Sequence, residues 1–213
     1  NTYEASADRR EAVRPLSKRA EAAVWLALST MCRVGELSMA QFEHIDGNVW
    51  TIPGSSTKNG KPHVIYLSDF AQSQIEVLRE EAAKSRSKWL FPNQAKTSHV
   101  DVKALSKQIG DRQKAITGAK RLAGRSPAND ALVLPGGRWT MHDLRRTGAS
   151  LMASLGVTPL VIDKCLNHVP GNVLHRVYQI HDYADEKRAA WNQLGQRLES
   201  ILDGGHVVML RRA

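Results

Sequence analysis

The sequence predicts a mostly α-helical domain carrying a small antiparallel β-sheet. Through most of the chain apolar residues recur three and four positions apart, the spacing that lays one apolar stripe along a helix. Strand-like runs occur in the front half only at Val49-Trp50-Thr51-Ile52 and His63-Val64-Ile65-Tyr66-Leu67. These flank Lys58-Asn59-Gly60-Lys61, where Asn-Gly is a hairpin turn signal, so two strands are expected to meet at a basic tip. With 213 residues the chain fits one large domain, or a domain with appendages, and is long enough to bury a sizeable core.

Each element has a local reason. Between Ser17 and Met31, residues Ala20, Ala23, Val24, Ala27, Leu28 and Met31 form one apolar face opposite Lys18, Arg19 and Glu21, which predicts a core helix. A short helix is expected over Val34 to Ala40. Ser68 can cap a helix over about 69–84, and Pro92 ends the apolar run Trp89-Leu90-Phe91. A further helix is expected from about 98 to 109, then a loop over 126–130. His142 to Leu155 reads as helical, stopped by Gly156, and Thr158-Pro159 supplies a cap and first turn for a helix to about Asn167. Pro170-Gly171 interrupts the chain, Asp182 to Leu202 forms the last long amphipathic helix, and Gly204-Gly205 precedes a short apolar strand over His206 to Leu210. Neither internal repeats nor low-complexity tracts appear.

Composition narrows the class of partner. Thirty Lys and Arg against 21 Asp and Glu leave a net charge of +9, an excess that suggests a polyanion, of which nucleic acid is the commonest. Lys103, Lys107, Arg112 and Lys114, with Lys120, Arg121 and Arg125, make the densest basic run, read either as a DNA-binding face or as a solvated one. Cys32 and Cys165, each placed within a predicted apolar helix, lack the paired spacing of a zinc site or disulfide framework, which fits a reducing compartment. Cys165 and His168 stand at ligand spacing but have no second pair, so no metal is expected. No apolar run approaches the roughly 18 residues of a membrane span. The expectation is therefore a cytoplasmic protein, nucleoid-associated when on DNA. The chain begins at Asn1 rather than at Met, so the expectation is an excised domain or a chain whose front is missing.

The chemistry concentrates in five short stretches. On a helix, His142 and Arg145 share a face, so an imidazole and a guanidinium can grip one anion together. Arg33, in Arg-Val-Gly-Glu-Leu at 33–37, can supply a second planar pair of donors. Lys58 stands at the hairpin tip with Lys61 as its rival, His168 closes a helix, and Tyr178 follows ten residues on. Breaking a phosphodiester requires a nucleophile, donors for the non-bridging oxygens and a proton for the leaving alkoxide. Each requirement has a candidate here.

In order and spacing, these stretches from about Leu16 to Leu202 resemble the catalytic domain of a tyrosine recombinase, of the phage or genomic-island integrase kind. The resemblance implies that Arg33, His142, Arg145 and His168 surround the scissile phosphate and that Lys58 is the general acid. Tyr178 would be the nucleophile, forming a 3′-phosphotyrosyl ester without ATP, metal or other cofactor. Tyr183 lies beyond the family's spacing, and Tyr3 and Tyr66 precede the signature. Glu36 and Asp143 are expected to orient the arginines. The implied partners are double-stranded DNA attachment sites, a homotetramer on DNA and DNA-bending accessory proteins, with no membrane. The chain divides accordingly into an N-terminal linker remnant (1–15), a catalytic domain (16–202) and a C-terminal tail with a short strand (203–213). Integrases of this kind usually carry an N-terminal clamping domain. Two other readings stay open: a type IB topoisomerase, and a basic DNA-binding protein that has kept the fold without the chemistry.

Overall fold

The computed structural model describes residues 16–83, 87–118, 130–168 and 182–204. At its centre lies α1 (Lys18–Thr30), started by the Ser17 hydroxyl, which accepts the Ala20 N–H at 3.2 Å. Ala23, Leu26 and Ala27 are buried along it. Around it pack α3 (Asp69–Ala83), α6 (Met141–Ser154) and the long α8 (Ala184–Leu202). Trp191 of α8 is buried and donates its indole N–H to the Thr30 carbonyl at 3.3 Å, tying α8 to the end of α1.

That end is also where the chain turns toward the site. Met31 takes a left-handed conformation with φ 56°, unusual for a residue with a side chain, and α2 (Val34–Ser38) follows at once. Cys32 therefore sits in the connection between α1 and α2, which corrects its expected place within a helix. Burial pushes its thiol up to about 12, and likewise that of Cys165 at the end of α7 (Pro159–Cys165).

Among the described residues the sheet has three strands, one more than the two of the expected hairpin: β1 (Ile45–Asp46), β2 (Val49–Ile52) and β3 (His63–Tyr66), antiparallel in that order. Trp50 pairs with Ile65 and both side chains are buried, so one face of the sheet belongs to the core. The β2–β3 connection is longer than an Asn-Gly hairpin, for a 3-10 turn over Gly54–Ser56 intervenes. Gly60 has φ +71°, the left-handed geometry that made Asn-Gly legible as a turn.

The helix expected from about residue 98 begins later, as α4 (Val102–Gly110). Val100 donates its N–H to the Phe91 carbonyl at 2.7 Å, and Asp101 caps the helix by accepting the Lys103 N–H at 2.7 Å. α5 (Lys114–Thr117) adds a single turn. Gly156, φ +86°, follows α6 as expected. The linker at 1–15, the end of the basic run at Lys120, Arg121 and Arg125, Pro170-Gly171 and the strand at His206 to Leu210 lie outside the described residues, as does Tyr178.

Candidate active site

Arg33, Lys58, His142 and Arg145 line one open cleft of about 610 Å³. Arg33 precedes α2, and Glu36 at the third helical position closes back on it twice. Its carboxylate accepts the Arg33 backbone N–H at 2.8 Å and the Nη1 of the guanidinium at 2.9 Å. Glu36 is itself buried. The local pairing of Arg33 with Glu36 and the use of Glu36 as an orienting group are thus one contact, and the guanidinium edge not held by Glu36 remains available to the cleft.

Arg145 forms the floor. Only 5% exposed, it donates through Nη1 to the Met31 carbonyl and through Nη2 to the Leu166 carbonyl, so the ends of α1 and α7 hold one guanidinium between them. The left-handed turn at Met31 is what lets the chain end α1 there. α6 comes close enough because Gly148, one turn beyond Arg145, has no side chain. A Cβ there would meet the Leu28 carbonyl oxygen at 2.6 Å and Met31 Cγ at 2.7 Å. Burial, and after it the neighbouring Arg33, hold the Arg145 guanidinium below its usual range. Two cations converging on a cleft with one buried carboxylate make a place where an anion is favoured.

His142 is exposed at the rim, three residues before the buried Arg145. Asp143 does not orient an arginine of the cleft, which corrects the expectation. Its Oδ2 accepts from the Thr140 N–H at 2.9 Å and the Thr140 hydroxyl at 2.8 Å, capping α6, and its Oδ1 meets Nη1 of the exposed Arg146 at 3.5 Å. Hydrogen bonding from Thr140 keeps its carboxyl below the usual range. What holds the approach to His142 is Gln113, buried and unremarked in the sequence. Its amide donates to the Trp139 carbonyl at 2.8 Å and accepts the Trp139 N–H at 2.9 Å.

His168 is brought to the same neighbourhood by backbone geometry rather than by lining the cleft. After α7 the Asn167 N–H donates to the Lys164 carbonyl and the His168 N–H to the Asp163 carbonyl, with Asn167 left-handed at φ 49°. This is a Schellman termination with Asn in the place glycine usually takes. The His168 ring, 48% exposed, lies 3.0 Å from Asp163 through Nδ1.

The basic run divides. Lys103 and Lys107 are exposed on α4, which packs against α2. Arg112 turns back on Gln108, donating to its carbonyl at 2.7 Å and its side chain at 2.9 Å. Lys114 is buried, with Asp111 4.0 Å away, and so is removed from any DNA-binding face. Residues 112–115 are moored rather than loose, since the Leu132 N–H reaches the Arg112 carbonyl at 3.1 Å and Asp130 accepts the Ala115 N–H at 2.7 Å.

A second unexpected residue is His63 of β3, buried behind the site. Desolvation first, then the charges of Lys187 and Arg145, lower its pKa to about 4, which keeps it neutral. Tyr183, the alternative nucleophile, stands at the start of α8 with Lys164 5.5 Å from its ring centroid, and it does not line the cleft.

This helical fold with its small sheet and cationic cleft defines an integrase-type domain, and comparison with known proteins agrees. Residues 3–185 match the phage integrase family, and the chain belongs to it. It is 26% identical over 184 residues to the prophage integrase IntA of Escherichia coli K12, covering 85% of this chain and 39% of that protein. The chain thus spans about two fifths of that relative. The integrase of mycobacterium phage Brujita shares the fold with a TM-score of 0.58 and 19% identity over 90% of this chain and 59% of that one. The lambda integrase catalytic core does so with a TM-score of 0.51 and 18% identity, over 73% and 82% of the two chains. Other chains of this fold were solved on DNA, among them a lambda integrase tetramer on a Holliday junction and a XerH recombinase on its difH substrate, with TM-scores of 0.50 and 0.53.

Proposed function

We propose that this chain is the catalytic domain of a site-specific DNA recombinase or integrase that cleaves and rejoins duplex DNA through a 3′-phosphotyrosyl intermediate. The observation that carries the reading is the convergence of Arg33, Lys58, His142 and Arg145 on one cleft, from three separate parts of the chain. Arg33 and Arg145 take the non-bridging oxygens, where planar paired donors suit a phosphate better than an ammonium does. His168 adds a donor from the α7 turn. The Tyr178 phenolate, its proton taken up with the help of His142, attacks phosphorus. The bond to the 5′ oxygen breaks, and Lys58 delivers the proton to that leaving oxygen. The ester so formed keeps the bond energy, and a second 5′-hydroxyl reverses the step without ATP. Side-chain cations do the charge stabilisation, so the reading assigns no metal.

The substrates are attachment sites in duplex DNA, gripped by four copies of the protein, with bending proteins as helpers and the cytoplasm as the compartment. Membership of the integrase family and the relatives solved on DNA, one of them a tetramer on a Holliday junction, support the DNA substrate and the four copies. The test is a nicked duplex carrying the attachment site of the element that encodes the protein. Wild-type protein should yield a denaturation-resistant adduct, and Tyr178→Phe should yield none while binding DNA within about threefold, since the lost hydroxyl serves chemistry and not affinity. An adduct persisting in that variant moves the nucleophile to Tyr183. DNA binding by the wild type with no adduct makes the chain a non-catalytic DNA-binding protein.

A further inference from the structure

The β2–β3 connection that carries Lys58 is fastened to the end of α7 by one residue, Asn59. Its side-chain oxygen works inward, accepting the Lys61 N–H at 3.1 Å and lying 3.2 Å from the Thr57 hydroxyl, whose single proton also has the Gly54 and Lys61 carbonyl oxygens within reach at 3.0 and 2.8 Å. The connection is compact: a Cβ on Gly54 would meet the Gly60 carbonyl oxygen at 2.5 Å. Its side-chain nitrogen works outward, donating to Asn167 Oδ1 at 3.0 Å, with the Asn167 carbonyl oxygen at 3.4 Å. Asn167 stands between Leu166, whose carbonyl holds Arg145, and His168.

We infer that Asn167 is a positioning residue for proton delivery, and that its amide, through Asn59, sets where Lys58 stands relative to the phosphate held by Arg145. Three consecutive residues of one turn then hold the buried arginine, the lysine-bearing connection and His168. Because a Schellman turn is a rigid backbone unit, fastening the connection to it fixes Lys58 against the same frame that fixes Arg145. Without the fastening, Lys58 would hang on a surface loop and lose the alignment that proton transfer needs. The inference rests on the role given to Lys58 above, and its test separates the two.

Asn167→Gly is the informative change. Glycine takes the left-handed conformation at least as well as asparagine, so the turn and the Leu166 carbonyl stay in place while the amide acceptor goes. Two measurements follow. Hydrogen exchange of the peptide covering residues 53–62, on the free protein, should speed up by about threefold to tenfold, the effect of losing one neutral hydrogen bond. Cleavage of an ordinary phosphodiester should slow by a similar factor. That loss should shrink to within about twofold on a 5′-bridging phosphorothiolate, whose thiolate leaves without a proton donor. Lys58→Ala is the comparator. Rescue of Lys58→Ala without rescue of Asn167→Gly, or unchanged exchange in residues 53–62, overturns the positioning role. If Lys58→Ala itself is not rescued, the assignment of the acid fails, while the exchange measurement still decides whether the contact holds the connection. Absence of any adduct with wild-type protein bears on the recombinase reading alone.

Discussion

Replacing Arg145 by lysine removes one thing and keeps another, which makes it the sharpest test of the cleft. The positive charge stays. What goes is the planar fork that spans the Met31 and Leu166 carbonyls while leaving further N–H groups for a phosphate. One ammonium cannot reach both carbonyls and an oxyanion in that geometry, so at least one of the two buried carbonyls loses its donor. A hydrogen bond to a charged group is worth about 1.5–3 kcal/mol, and at 5% exposure water offers little replacement. For a domain of this size each kcal/mol moves the melting midpoint by roughly 2–4 °C, so Arg145→Lys should melt about 3–12 °C lower. Chemistry should suffer more than folding, because the lost donor is aimed at charge that grows in the transition state. Removing such a donor costs on the order of 10²–10³ in rate. Thermal unfolding followed by circular dichroism and single-turnover adduct formation, measured well below the melting point of the variant, give the two numbers. A lysine variant that melts with the wild type and cleaves within about threefold of its rate would mean that charge alone matters here, refuting the forked-clamp account.

Three further outcomes test the surroundings. His63 is buried and neutral, with its folded pKa at about 4 against 6.5 for the free ring. The unfolded chain therefore takes up the proton first, and stability falls as pH drops through that interval. His63→Gln should flatten the loss between pH 6.5 and 4 by up to about 3 kcal/mol in denaturant titrations; identical pH profiles for the two proteins would show that His63 is not buried neutral. Lys103→Ala with Lys107→Ala should weaken binding to all DNA sequences alike and reduce the slope of log K against log[salt] by up to about 1.8, or 0.9 for each phosphate contact. Lys114→Ala should leave that slope unchanged and lower the melting point instead, since its side chain is buried; a changed slope for Lys114 alone would place it on the DNA face.

Much of this molecule was legible in the chain because the signals are local. α1, α3, α6 and α8 follow from apolar spacing and from caps such as Ser17, while Gly60 and Gly156 mark backbone that a side chain would strain. The order of Arg33, Lys58, His142 and Arg145 resembles the integrase pattern closely enough that their shared cleft was expected. The errors arose where one residue type serves two local roles. Asp143 sits at the third position of a helix opened by Thr140, and capping there satisfies its carboxylate before any arginine of the cleft is reached. Lys114 looked like its basic neighbours, yet the mooring of 112–115 to residues 130 and 132 turns it inward.

The sequence by itself determined the elements and the chemical types at the site, because helix periodicity, caps and turn residues act over a few positions. Only the tertiary structure decided how those types are held: Arg145 between carbonyls of Met31 and Leu166, Trp139 on Gln113, and Asn59 on Asn167. Those partners lie far apart in the chain, and a carbonyl or amide carries no sequence signal of its own. Such a group becomes a ligand for a side chain only when packing brings it close and removes the water that would otherwise satisfy it.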